Sequence, residues 1–212
     1  MRIKSKIIGN QIWTAEDVSI SHLKSAIVES NGLQVNIEKK NSNYEWINST
    51  VPAFCTYQSN RTTKSYYLYN QAAAEFIYDL LRVNNTGWRF PTITDWITLF
   101  HFIDNRNNHD NWNNCIAQNL RGAYGWPING TNKIGFDAIP NSTRNEHGSF
   151  TSEPFAKWWV YNPSNQNSGM GGIRLYPEDI IAEFGTHNKI GLAIRLVRDF
   201  NDIRPEKGIQ YV

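Results

Sequence analysis

Gly87-Trp88-Arg89-Phe90-Pro91-Thr92-Ile93-Thr94-Asp95-Trp96-Ile97-Thr98-Leu99 packs a strand end, a proline corner and a helix start into one short stretch. Phe90 precedes a proline, which pushes it out of the α region into extended geometry. Thr92 stands where an N-cap is wanted, and Asp95, three residues on, takes the acidic place of a capping box. Trp96, Leu99, Phe100 and Ile103 then recur at i, i+3, i+4, i+7 and give one apolar helical face. The stretch predicts the hinge of a core, and it holds no obvious nucleophile, metal-ligand set or phosphate loop.

Working outward, Tyr69, Ala72, Ala73, Phe76, Ile77, Leu80 and Leu81 form a helical stripe that predicts a long helix over Tyr66–Val83. A second follows from Thr92 to about Ile103. Ile7 to Trp13 reads as two short strands around Gly9-Asn10, and Asn31-Gly32 predicts another hairpin between residues 25 and 38. Residues 39–50 are polar and read as loop, with a short strand at Phe54–Tyr57. Asn105–Asn114 reads as a loop or frayed helix end. From Gly122 onward, Gly, Pro, Asn and aromatic residues predict long loops pinned by buried rings. Strands are expected at Trp158–Tyr161, Ile173–Tyr176, Ile180–Phe184 and Gly191–Arg198, with a turn at Gly169–Gly172. No repeat or internal boundary is visible, so residues 1–200 read as one domain with a peripheral tail at 201–212.

Composition limits the function. With 21 Lys+Arg against 19 Asp+Glu, the chain carries a net charge of +2 and no basic run with interleaved aromatics, which disfavours nucleic acid as a partner. Asparagine, at 26 of 212 residues, suits a loop-rich chain because it tolerates turns and left-handed backbone. No apolar stretch is long enough to span a membrane, so membrane insertion is not expected. The N-terminus has basic residues without an apolar segment behind them, and no Sec signal peptide is expected. Cys55 and Cys115 make no disulfide framework; buried or inert thiols are the expectation.

Taken in order, several segments resemble the FISUMP domain, the Fibrobacter major-paralogue family of bacterial surface proteins. They are Ile8-Gly9-Asn10-Gln11-Ile12-Trp13-Thr14-Ala15-Glu16-Asp17, Tyr69-Asn70-Gln71-Ala72-Ala73-Ala74, Gly87 to Leu99 and Leu120-Arg121-Gly122. Gly130 to Pro140, Gly148-Ser149-Phe150, Trp158-Trp159 and Ile194-Arg195-Leu196-Val197-Arg198-Asp199 complete the series. The resemblance implies an α+β, C-type-lectin-like fold: two helices, small twisted antiparallel sheets and long loops that present ligand contacts. Where the family carries Cys-Pro-x-Gly-Trp and Arg-Cys-Val, this chain has Asn84-Asn85-Thr86-Gly87-Trp88 and Arg195-Leu196-Val197. If the two cysteines are bridged in relatives, that bridge is lost here. Such a loss, worth about 2–4 kcal/mol, is easier for a chain assembled in the cytoplasm. A virion protein of a phage infecting a Bacteroidetes-type host fits this absence and that of a signal peptide.

The chemistry-bearing residues point to binding more than to reaction. His101, His109 and Asp110, with Glu146 or His147, are too scattered for a metal set. Glu153-Pro154-Phe155 and Trp112-Asn113-Asn114 only partly echo the calcium motifs of C-type lectins, so no metal or other cofactor is expected. Cys55 and Cys115 lie outside the segments where a formylglycine-generating active pair would fall, and no catalytic residue is assigned. The remaining feature is an aromatic loop surface. Trp112, Tyr124, Trp126 and Tyr161, joined by Trp158 or Trp159, offer large contact area with few rotors. Asn165 and Asn167 sit in the polar loop Asn162–Gly172 and are the accompanying polar contacts. The expectation is a non-catalytic recognition or adhesion domain on a cell or virion surface, binding a glycan or protein through loops between about Asn105 and Asn188. A homo-oligomer is compatible with it. Its rivals are a structural virion component docked on neighbouring subunits and a formylglycine-generating-type enzyme.

Overall fold

The computed structural model describes residues 3–24, 35–58, 65–104, 114–151, 154–164, 169–183 and 187–200. The strands are β1 (Ser5–Ile8), β2 (Gln11–Thr14), β3 (Glu38–Lys39), β4 (Ala53–Gln58), β5 (Ser65–Tyr69), β6 (Ala156–Tyr161), β7 (Met170–Leu175), β8 (Ile180–Glu183) and β9 (Val197–Asp199). The helices are α1 (20–24), α2 (Asn43–Ile47), α3 (Gln71–Val83), α4 (Ile93–Ile103) and α5 (Asn114–Leu120). The strands form three small sheets, ordered β1-β2-β9, β3-β4-β5 and β6-β7-β8, all antiparallel except for the parallel β3–β4 pair. The class is therefore α+β, as expected, with three short helices beside the two long ones.

The first hairpin forms as read: Gly9, at φ +62°, turns β1 into β2. The 25–38 hairpin falls largely outside the described residues; its last residue, Glu38, begins β3. Two helix assignments change. The polar stretch 39–50 contains α2, whose Ser42 side chain accepts from Glu45 N while the Glu45 carboxylate accepts from Ser42 N, a complete capping box. The long helix begins at Gln71, not Tyr66. Residues 65–69 form β5 and bury Tyr66 and Leu68 at strand spacing, and Asn70 caps α3 by accepting from Ala73 N. The Asn70 oxygen also accepts from Ala53 N at 3.0 Å, which ties the helix start to β4. Gly171 and Gly172 belong to β7 rather than to a turn.

The segment 191–198 joins the sheets. Leu192 exchanges backbone bonds with Tyr69 of β5, Ala193 O accepts from Trp159 of β6, Ile194 O from Val18, and Leu196 O from Thr14 of β2. Val197 exchanges both backbone bonds with Arg89 of the corner, at 2.9 Å each. Leu192, Ala193, Ile194, Leu196 and Val197 are fully buried. Only its last residues pair continuously enough to form β9; the rest is extended chain bonded to a different partner at nearly every step.

Beside it lies an aromatic nucleus. Trp96 of α4 packs against Trp13 (centroids 4.9 Å apart), Phe136 (5.6 Å) and Trp158 (5.6 Å). Buried Arg195 lies over Phe136 at 4.7 Å, donates to Asp17 at 2.6 Å, and donates to the carbonyls of Thr14 and Phe136. The loops after α5 hang on this nucleus through Phe136, and on the stretch before α2 through Arg144, a fully buried guanidinium that donates to Lys40 O, Asn41 O and Gly148 O.

Candidate ligand cleft

The corner at 87–95 builds a cleft of about 450 Å³. Its backbone is fixed on two sides. Arg89 pairs with Val197, and Pro91 O accepts from Tyr161 N at 2.9 Å, which anchors the end of β6 beside the helix start. Tyr161 then stacks on Tyr78 of α3, with ring centroids 4.4 Å apart and planes 19° apart. Tyr78, Leu81 and Arg82 lie on one face of α3, being spaced i, i+3, i+4. Buried Leu81 and Phe90 close the base, and half-buried Tyr78, Tyr161 and Trp88 form the sides. Arg82, Arg89, Thr92, Thr94 and Asp95 complete the lining.

Trp88 is steadied from behind by Arg198, whose guanidinium lies 4.7 Å from the ring centroid, so one indole face is taken. Asp95 is the corner's electrostatic anchor. Its Oδ1 accepts from Arg89 Nη2 at 2.8 Å and Gln11 Nε2 at 3.1 Å. Its Oδ2 accepts from Arg89 Nη1, from Thr92 N at 2.7 Å and from Thr92 Oγ1 at 2.8 Å. Burial works to raise this carboxyl, but the hydrogen bonds from Arg89 and Thr92 outweigh it and hold Asp95 below the usual carboxylate range. The hydrogen bond between the two phenols, together with partial burial, raises Tyr78 above the ordinary tyrosine value. The cleft thus combines aromatic and aliphatic surface with a few fixed polar groups, the usual make-up of a small-molecule site.

A second pocket, of about 70 Å³, lies among Glu16, Asp17, Tyr66, Asp137 and Arg195. Its central carboxylate already serves the fold: Asp17 accepts from Arg195 Nε, from Trp158 Nε1 at 2.8 Å and from Asn141 Nδ2 at 2.9 Å.

Of the residues expected to bind, Tyr161 lines the cleft. Tyr124 is 40% exposed on the loop after α5 and is not among the cleft's lining residues. Trp126 is corrected: it is only 5% exposed, its Nε1 donates to Ala138 O at 2.7 Å, and it anchors the loop to the core. Trp158 and Trp159 are likewise core residues, at 1% and 0% exposure. Trp112, Asn165 and Asn167 lie outside the described residues, as do His109 and Asp110. Among the described residues no three His, Cys, Asp or Glu side chains gather as a metal set. Cys55 and Cys115 are unbridged; burial raises the Cys55 thiol to about 11 despite nearby Arg144.

The reading from sequence missed Tyr78, Arg82 and Trp88. One signal was present: Tyr78 and Arg82 border the core residue Leu81 on α3. Trp88 gave none, because a tryptophan beside a proline corner reads first as packing.

No helix among the described residues is long and apolar enough to cross a membrane. Neither a curated protein nor a solved structure matches the chain. The Fibrobacter succinogenes major domain family does match, over residues 7–198, a span that includes the first hairpin from Ile7 onward, the corner, every wall of the cleft and β9 up to Arg198. The chain belongs to the Fibrobacter succinogenes major domain family.

Proposed function

We propose that this chain is a non-catalytic recognition domain of C-type-lectin-like type, displayed on a cell or virion surface, that binds a glycan in the cleft between α3, the 87–95 corner and the end of β6. The carrying observation is the cleft itself: half-buried Trp88, Tyr78 and Tyr161 around about 450 Å³, with polar groups at one side. Sugar rings present apolar C–H faces that seat on aromatic rings, and the lining supplies such rings. The sequence alone placed binding on the loops from Asn105 to Asn188; the site proposed here is the corner instead, with Tyr161 as the residue common to both.

The test is a glycan array probed with the native chain and with Trp88→Ala, Tyr161→Ala and Tyr124→Ala, each checked for an unchanged melting profile. The first two variants are expected to weaken binding at least about tenfold, or ~1.4 kcal/mol, the scale of a buried aromatic anchor. Tyr124→Ala is expected to bind as the native chain does. Binding that survives both cleft substitutions, or no glycan bound by a folded native chain, would refute the proposal.

A further inference from the structure

Resting on the glycan reading of this cleft, we infer that its ligand is an acidic sugar, whose ring sits against Trp88 and Tyr161 and whose carboxylate meets the guanidinium of Arg82. The inference follows from which hydrogen-bonding groups of the lining are already engaged. Asp95 is the cleft's one carboxylate, and its two oxygens accept five hydrogen bonds, from Gln11, Arg89 and Thr92. A carboxylate has about four lone-pair sites, so Asp95 has none to give a ligand hydroxyl. Thr92 is equally engaged: its hydroxyl donates to Asp95 and accepts from Asp95 N at 3.2 Å. Arg89 is neutralised by Asp95 and by Asp199, which accepts from its Nη2 at 3.1 Å.

Arg82 differs. It stands in the last turn of α3, its side chain is 70% exposed, and its ion pair is a 3.6 Å contact with Asp79, itself 64% exposed. That separation exceeds a hydrogen bond, and an exposed i, i+3 pair of this kind is weak and readily exchanged. Arg82 therefore brings a nearly unspent fork of donors to the cleft, and a planar carboxylate is its best geometric match. Arg89 is held between two carboxylates, whereas Arg82 has only the long, exposed contact with Asp79, so the charge open to a ligand is that of Arg82. A neutral sugar would leave that charge to water. A hexuronic acid satisfies it and keeps the apolar ring face for the aromatic wall.

The test titrates the full chain with oligosaccharides of galacturonic, glucuronic and mannuronic acid, each paired with its carboxyl-reduced twin, in which a neutral CH₂OH replaces the carboxylate. For at least one pair, the acidic member should bind about five- to tenfold more tightly, a range set by one charge-assisted contact. That ratio should collapse towards one in Arg82→Gln, whose exposed position leaves the fold intact, and again in 1 M salt, which screens exposed charges. Equal binding of acid and twin, or a ratio unchanged in Arg82→Gln, overturns the acidic-sugar inference while leaving a glycan-binding cleft in place. Preference for a polyglutamate peptide over every sugar overturns it in favour of a protein ligand. If the chain binds neither these sugars nor any on the neutral array, the glycan reading falls as well.

Discussion

Asp95 shows how a single side chain ties the corner to the first hairpin, and His22 how a buried one carries a pH dependence. Asp95 closes the α4 capping box and also receives Gln11 from β2, so its short side chain joins helix, corner and first sheet. The capping role was legible from Thr92 and Asp95 alone; the reach to Gln11, 84 residues away in sequence, was not. His22 is 6% exposed, and its Nδ1 accepts from Ser19 N at 3.2 Å, which requires the neutral ring. Burial lowers its pKa from the ordinary 6.5, and Glu16 at 3.7 Å only partly offsets this. The unfolded chain thus takes up a proton as pH falls through about 6.5, before the folded chain does. The stability due to neutral His22 is complete above that pH and is lost as pH drops towards the lowered folded value. Thermal melts should show the midpoint falling below pH 6.5, with a shallower fall in His22→Asn. Identical slopes in the two proteins would show that other groups set the trend.

Among the elements, two capping boxes were written in the chain and only one was read. Thr92 and Asp95 stood out because an apolar stripe follows them, whereas Ser42 and Glu45 cap a five-residue helix too short to show a period. The start of α3 was misplaced for a related reason. Tyr69 fits the helical stripe of the following residues and also the strand before them, and the strand prevails because Phe54 to Gln58 of β4 pair with Ser65 to Tyr69. The mark of the true boundary is Asn70, whose side chain accepts from Ala73 N and Ala53 N and donates to Val51 O. Asn70→Ala removes a cap and leaves the buried Ala53 N–H without its acceptor, so it should cost about 2–3 kcal/mol, read as a lower urea midpoint at unchanged slope. A cost below about 0.5 kcal/mol would mean that water replaces both bonds.

At the scale of the whole molecule, the cleft was hidden for a topological reason. Tyr78, Trp88 and Tyr161 come from three separated segments, united by the backbone bond from Tyr161 to Pro91 and by the stacking of Tyr161 on Tyr78. Local pattern reports what a segment buries, so Trp88 and Phe90 were legible as packing; the space they share with Tyr161 exists only once β6 is docked. Trp126 illustrates the reverse error. A loop tryptophan reads as exposed until its carbonyl partner, Ala138, is in place.

The first sheet carries one more implication. β1 and β9 flank β2, and both run antiparallel to it, so they run parallel to each other. The chain comes into β1 at the Thr14 end of β2 and leaves β9 at the Gln11 end. Inter-strand bonds lie across the strands, so opposite pulls along the strand axis strain a whole ladder at once. Single-molecule pulling through handles at Lys4 and Phe200 should therefore give a higher rupture force than handles at Lys4 and Ala15, which peel the β1–β2 hairpin bond by bond. For a domain that holds a ligand while its ends are tethered, tension meets both β2 ladders in shear, and mechanical toughness comes from strand direction rather than from covalent cross-links.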